Sequence, residues 1–321
     1  MIHTLGFIGK RALSTPPAAC KANRWVAEMD VPYKLYKGDC LEIMPTLEAG
    51  SVDAIITDLP YGTTDLKWDS IIPLAPMWEQ VKRILKSNGV FVSTASQPFT
   101  SILGASNASW LSYEWIWRKN KVTGAFNAKF IPLKEHENIL VFSPAPARSN
   151  QFSDFKFTYN PQGIKQDMSR QQGKRTVSAM NNLRGNVSKT YTKTHSSYPT
   201  SVLEFDKDED YVHPTQKPVA LYEYLINTYT NFGETVLDIT MGSGTTIIAA
   251  IRTGRKSIGI ERDPKYFSIA EKRIKQAAQQ PALFHATQQS VQRTGGESGQ
   301  QSLFSAGEVL PAKVTRQSTR R

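Results

Sequence analysis

Residues 234–263, "ETVLDITMGSGTTIIAAIRTGRKSIGIERD", constrain the fold more than any other part of the chain. An apolar run ends at Asp238 and a tight loop carries Gly242 and Gly244. A ten-residue helical pattern follows and stops at Gly254, and a second apolar run ends at Glu261. Two short strands separated by a helix of this length have one common solution, a parallel pair joined by a crossover helix on one face of a sheet. The helical segment "PKYFSIAEKRIKQAA" then continues the alternation.

A second block of the same style lies near the other end. "YKLYKGDCLEIM" and "SVDAIITDLP" read as β-branched strands that end in loop-making residues, with "PTLEAG" between them as a short helix and turn. "PLAPMWEQVKRILKSNG" places Met77, Val81, Ile84 and Leu85 on one helical face, with Gly89 as its stop, and "VFVSTAS" is the next strand. The two blocks share a style without an evident repeat. Together they predict an α/β fold, a doubly wound and mostly parallel Rossmann-like sheet.

Between the blocks, from Ala145 to Phe205, the composition turns to Asn, Gln, Ser, Thr, Lys, Arg and Tyr, with nine basic residues against three acidic ones. This stretch is expected to be an insertion outside the sheet. It carries much of the formal net charge of +11, which with 40% hydrophobic residues describes a folded protein with a basic surface. Nucleic acid is the leading partner, ahead of a membrane surface. Cys20 and Cys40 form neither a CxxC pair nor a Cys/His cluster, so no disulfide framework and no metal site is expected, and a reducing compartment fits. No apolar run reaches the ~18 residues of a membrane span. The acid-free start, with Lys10, Arg11, Lys21 and Arg24, has a transit-peptide flavour. Pro16-Pro17 would break a targeting helix, which favours a plain disordered extension.

The glycine loop points to a ligand. Gly242 and Gly244 open a helix at the carboxyl edge of a parallel sheet, where backbone can approach a bound molecule closely. Glu261, nineteen residues beyond Gly242, closes the next strand, the place from which an acid grips ribose hydroxyls. Ile247 stands where a dinucleotide fingerprint has its third glycine, and Asp238 would repel a pyrophosphate. A nucleoside with a cationic amino group or sulfonium, such as S-adenosylmethionine, suits these residues better. A packing turn between strand and helix is the alternative reading.

"DLPY", Asp58 to Tyr61, leaves its strand on the same expected edge. A nucleobase amine is a poor nucleophile because its lone pair is conjugated into the ring. A carboxylate and a backbone carbonyl that accept its two N–H bonds favour a pyramidal nitrogen and free the lone pair. Proline fixes the carbonyl's direction, and Tyr61 offers a face on which a base stacks, worth ~1–3 kcal/mol in single-strand systems. Asp, Pro, Tyr and Gly62 are also ordinary β-turn residues, so the tetrapeptide alone would not decide.

"TDLPYG" resembles the DPPY motif of amino-methylating DNA methyltransferases, and "VLDITMGSGTT…IGIERDPKYF" resembles their S-adenosylmethionine motif. "HPTQKPVALYEYLI" and "YKGDCLEIM" are similar to the segments that precede each. Catalytic motif first, basic insertion next and cofactor motif last is the order of the β group, and the likeness runs from about Tyr33 to Ala277. The resemblance implies an AdoMet-dependent methyltransferase sheet with an inserted target-recognition region. It assigns Asp58, Pro60 and Tyr61 to the catalytic pocket and Asp238, Gly242, Gly244 and Glu261 to the cofactor. Asp39 is placed near the cofactor's adenine, and Thr215 and Lys217 near its methionine. Leu59 replaces the first proline of the motif and Ile239-Thr240 the usual Pro-Phe. Asp rather than Ser at position 58 associates with adenine N6 rather than cytosine N4, and Asp rather than Asn argues against protein glutamine methylation.

The implied organisation is an N-terminal extension (1–30), a catalytic half (31–144), the basic insertion (145–210), a cofactor half (211–280) and a disordered tail (281–321). Expected partners are double-stranded DNA and no membrane, with a homodimer left open, in the cytoplasm of a bacterial or phage-infected cell. A base inside a duplex must be flipped to reach such a pocket, at a cost of a few kcal/mol, and phosphate contacts help offset it. Arg170, Lys174, Arg175, Asn181, Asn182 and Arg184 are the candidate DNA contacts in the insertion. "WIWRKNKVTGAFNAKF" interleaves four aromatic residues with four basic ones. Its alternation assigns Trp115 and Trp117 to the core and leaves its lysines as candidate phosphate contacts.

Overall fold

A computed structural model of the protein describes residues 33–63, 69–145, 156–176, 188–208 and 216–279. These residues form ten strands and six α-helices, which alternate except where β4 to β8 follow one another without an α-helix. The main sheet runs β1 (Tyr33–Lys37), β10 (Lys256–Glu261), β9 (Thr235–Asp238), β2 (Val52–Asp58), β3 (Leu85–Ala95), β5 (Lys134–Phe142), β4 (Leu111–Thr123) and β8 (Val202–Glu204). The first five are parallel neighbours, while β5 is antiparallel to both β3 and β4. The sheet is therefore the mostly parallel α/β sheet expected, with an antiparallel extension on one side.

Both faces are covered, which is why the strands are apolar almost throughout. On β2, Ile55 points into one core with Phe91, Leu237 and Val81, while Ala54 and Ile56 point into the other with Val92, Val236 and Leu225. Helices α1 (Cys40–Ile43), α2 (Leu74–Ile84) and α3 (Phe99–Ser106) lie over the first core; α4 (Val219–Tyr229), α5 (Thr245–Arg252) and α6 (Pro264–Gln279) lie over the second. Trp115 and Trp117 are buried in the second core, as their alternation predicts.

Helix α2 buries Met77, Trp78, Val81 and Ile84 but ends before Gly89, because Leu85 is already extended (φ −76°, ψ 138°) and starts β3. Gly89 serves another purpose. A Cβ there would stand 2.7 Å from Leu85 and 2.8 Å from the carbonyl of Asp53, so the glycine lets β3 lie against β2. The turn after β1 is helical earlier than expected, from Cys40, where Asp39 caps α1 by accepting from the Leu41 amide at 2.8 Å.

The basic insertion is not wholly outside the sheet. Its strands β6 (Lys165–Thr176) and β7 (Ser188–Ser196) form a separate antiparallel hairpin, but β8 pairs in parallel with β4 and buries Leu203. Three polar-flanked residues carry no strand periodicity; the exposed edge of β4 recruits them, which also covers that edge. Among the described residues no helix is long and apolar enough to cross a membrane. The N-terminal extension and the tail lie outside the described residues.

Candidate active site

Strands β2 and β9 are neighbours in the sheet, but β2 leads on to β3 on one side and β9 to β10 on the other. Loops diverge at such a point and leave a crevice at the carboxyl ends of the strands. Asp58 ends β2 and Asp238 ends β9, so the two motifs separated by some 180 residues in sequence meet there. The Thr57 hydroxyl donates to Asp238 Oδ1 at 2.7 Å, and the Thr240 hydroxyl to the Asp58 backbone carbonyl at 3.0 Å. A cavity of about 490 Å³ opens over this junction. Asp39, Asp58, Pro60, Tyr61, Lys217, Asp238, Gly242 and Glu261 all line it. Thr215 lies outside the described residues.

The corner at Asp58 is a charged cluster. Asp58 Oδ1 accepts from the Tyr61 hydroxyl at 2.7 Å and from the Thr94 hydroxyl, while Oδ2 pairs with Lys217 Nζ at 2.9 Å. Lys217 also reaches Glu137 Oε2 at 3.1 Å, and Glu137 Oε1 pairs with Lys119 at 3.3 Å. The resemblance places Lys217 beside the methionine; the structure commits its ammonium to Asp58 and Glu137. Burial on its own would pull the Lys217 pKa down, but these two carboxylates outweigh it and hold it above the usual lysine range. Burial raises the Glu137 carboxyl, and Lys217 and Lys119 more than reverse that, so it stays ionised. Lys119, a candidate phosphate contact by sequence, is instead buried inside this cluster. Glu137 in "KEHENILVF" carries no motif that sequence reasoning could have used.

The loop after Asp58 is held by a second acid. Asp69 Oδ1 accepts from the amides of Tyr61 and Gly62 at 2.8 and 2.9 Å, and Oδ2 from the amide of Thr63 at 2.9 Å. Three successive N–H groups on one carboxylate fix the loop and turn the Tyr61 side chain inward. The Tyr61 ring stacks on Phe99 with centroids 5.5 Å apart, and the Lys217 ammonium lies 5.4 Å from its centroid.

On the other side of the cavity Asp238 is almost fully buried and accepts from Thr57, Thr246 and the Thr240 amide. Burial pushes its pKa up to about 6, against the pull of those three donors. Glu261 accepts from the Gly242 amide at 2.9 Å and the Asp263 amide at 2.7 Å, one on each oxygen, so each oxygen keeps a lone pair for another donor. Gly242 has φ +51° and open space where a side chain would stand. Gly244 does different work. A Cβ on it would come within 2.8 Å of Ile274, so it lets α5 pack on α6, and it does not line the cavity.

These residues fit S-adenosylmethionine. Asp238 would offer an anion to its ammonium group, Glu261 would offer its remaining lone pairs to ribose hydroxyls, and the turn at Gly242 would leave room for the ligand. The buried Thr245 hydroxyl has no hydrogen-bond partner among the described residues and lines the same cavity. Of the DNA candidates, Arg170, Lys174 and Arg175 lie on β6 of the hairpin, whereas Asn181, Asn182 and Arg184 lie outside the described residues.

Comparison with known proteins agrees with this geometry. The DNA methylase profile matches residues 52–272. The chain is 29% identical over 259 residues to the type II methyltransferase M.HpaI of Haemophilus parainfluenzae, covering 75% of this chain and 74% of that one. It is 26% identical over 255 residues to the DNA adenine methyltransferase YhdJ of Escherichia coli K12, covering 74% and 81%. Among solved structures, the M1.HpyAVI–SAM complex superposes with a TM-score of 0.50 at 25% identity, covering 75% of this chain and 99% of that one. The cytosine-N4-specific PvuII DNA methyltransferase shares the fold, with a TM-score of 0.52 at 16% identity, covering 77% and 91%. The chain belongs to the N6/N4 DNA methylase family and is an S-adenosylmethionine-dependent DNA methyltransferase.

Proposed function

We propose that the enzyme methylates the N6 amine of an adenine flipped out of double-stranded DNA. The observation that carries the choice of adenine is Asp58, an acid where enzymes of the N4 type usually carry serine. The name of one relative, a DNA adenine methyltransferase, points the same way. S-adenosylmethionine, held by Asp238, Glu261 and the Gly242 turn, supplies an electrophilic methyl group.

The chain's own residues prepare the amine. Asp58 Oδ2 accepts one N–H and the backbone carbonyl directed by Pro60 the other, which draws the lone pair out of the ring. Lys217 occupies Oδ2 in this structure, so the incoming amine displaces it from that oxygen. Glu137, 3.1 Å from the same ammonium, keeps Lys217 paired when it yields. The cluster thus frees Asp58 Oδ2 for the amine without leaving a buried ammonium unpaired. Tyr61, held flat on Phe99 and fixed at its hydroxyl by Asp58, supplies the stacking face.

The test is direct. Unmethylated DNA treated with the enzyme and labelled cofactor is digested to nucleosides; N6-methyladenine is expected, and N4-methylcytosine would replace this reading with the cytosine one. Asp58→Ala should abolish transfer while cofactor binding persists, and an unchanged rate would remove Asp58 from the chemistry.

A further inference from the structure

Strands β4 and β5 are joined by an excursion, residues 124–133, whose two ends belong to the active site: Thr123 and Lys134 both line the cavity. Its base is closed by the Thr123–Lys134 pair. Its backbone is organised from within, the amides of Asn127, Phe130 and Ile131 donating to the carbonyls of Gly124 and Asn127 at 2.9 to 3.0 Å. On this ordered loop Phe126 is fully exposed and Phe130 84% exposed, with Ile131 and Leu133 exposed beside them. Two free phenylalanine rings at the rim of an active site expose apolar surface that folding would normally bury. The sequence interleaves these rings with Trp115 and Trp117, but the structure separates the two pairs: the tryptophans are core and the phenylalanines face solvent.

We infer that this loop is the wedge that enters duplex DNA beside the target base and holds the gap open once the base has been flipped. The inference rests on the reading of the substrate as a duplex from which a base is extruded, and holds for either target base. Extrusion leaves an unstacked hole in the helix, and apolar side chains, Phe among them, are the groups that insert between base steps. The loop also carries charge for the backbone that flanks such a hole. Lys121 and Lys129 are exposed and form no ion pair among the described residues, in a chain of net charge +11. An apolar tip between cations fits a stacked polyanion better than it fits the equally basic surface of a second copy of this chain.

The test compares the wild-type chain with Phe126→Ala/Phe130→Ala, whose exposed positions leave the core untouched. Methylated positions are first mapped with the wild type on amplified, unmethylated bacterial DNA; an oligonucleotide duplex carrying that site is then used in two forms, fully paired or with the target base opposite an abasic position. The double variant is expected to lose about tenfold or more in kcat/KM on the paired duplex, to recover to within about threefold of wild type on the gapped one, and to bind S-adenosylmethionine normally. With 2-aminopurine at the target position, the fluorescence rise on mixing should shrink in the variant. Phe126→Leu/Phe130→Leu, which keeps apolar bulk, should retain most of the activity. An unchanged rate on the paired duplex, an equal loss on both duplexes, or a loss that tracks a change from dimer to monomer in size-exclusion chromatography would each overturn the wedge. Failure of the wild type to methylate the paired duplex would instead overturn the duplex reading itself.

Discussion

Asp238 combines two demands that conflict. To hold a cationic ligand it must be an anion, yet it is buried, and burial raises its pKa to about 6. Above that pH the folded protein carries a desolvated charge. Because the folded pKa lies above the unfolded value near 3.8, the side chain's contribution to stability is fully present below that value and is lost as pH rises to about 6. Asp238→Asn, which can still accept from Thr57 and the Thr240 amide and can donate to Thr246, should therefore stabilise the ligand-free protein at pH 8 by on the order of 1–3 kcal/mol in urea unfolding. The same substitution should weaken cofactor binding strongly. In the wild type, cofactor affinity measured by calorimetry should fall as pH drops through about 6, and that dependence should flatten in the variant. Lys217 presents the opposite case. Lys217→Met leaves Asp58 and Glu137 facing each other without their shared cation, which should cost about 3–5 kcal/mol of stability; adding Glu137→Gln should restore part of it.

At the scale of elements, the site depends on loops that the sheet brings into place and that local contacts then fix. Asp69 binds the amides of Tyr61, Gly62 and Thr63, so Asp69→Ala should free the loop that carries the aromatic ring. A loss in kcat of about 10- to 100-fold is expected in single-turnover assays, with cofactor affinity unchanged. Asp69→Asn, which keeps one acceptor oxygen, should fall between. The junction of α5 and α6 has its own requirement. Gly244 has φ +83° and no room for a Cβ against Ile274, so Gly244→Ala should destabilise the fold by roughly 1–3 kcal/mol in thermal or urea unfolding. A change that affected cofactor affinity alone would contradict the packing role.

Across the whole molecule, function divides between a neutralised active-site cluster and a basic exterior. In the cluster two carboxylates meet two lysines, so the net charge of +11 is carried elsewhere and is available to phosphates. DNA binding is expected to weaken linearly in log affinity against log salt. Arg170→Ala, Lys174→Ala and Arg175→Ala combined should reduce the magnitude of that slope by about 2 to 3 and leave cofactor binding intact, as read by fluorescence anisotropy at several salt concentrations. An unchanged slope would move the phosphate contacts off the β6–β7 hairpin.

The sequence by itself determined the alternation of strands and helices, the acids at the two strand ends, the glycine turn and the basic middle. Each of these is a local property, set by hydrophobic period and by backbone freedom within a few residues. Tertiary structure alone decided which segments share a cavity and what each charge faces. Glu137, Thr94 and Asp69 have no local signature, and neither the motif around Lys217 nor the basic run around Lys119 shows that the fold sets these lysines against Asp58 and Glu137. The same holds for β8, three residues made into a strand by a vacant edge, and for Gly89, whose need for glycine comes from Leu85 and the Asp53 carbonyl on the neighbouring strand rather than from a helix end. Coulombic and packing partners far apart in the chain leave no mark on sequence periodicity, so only the assembled sheet could identify them.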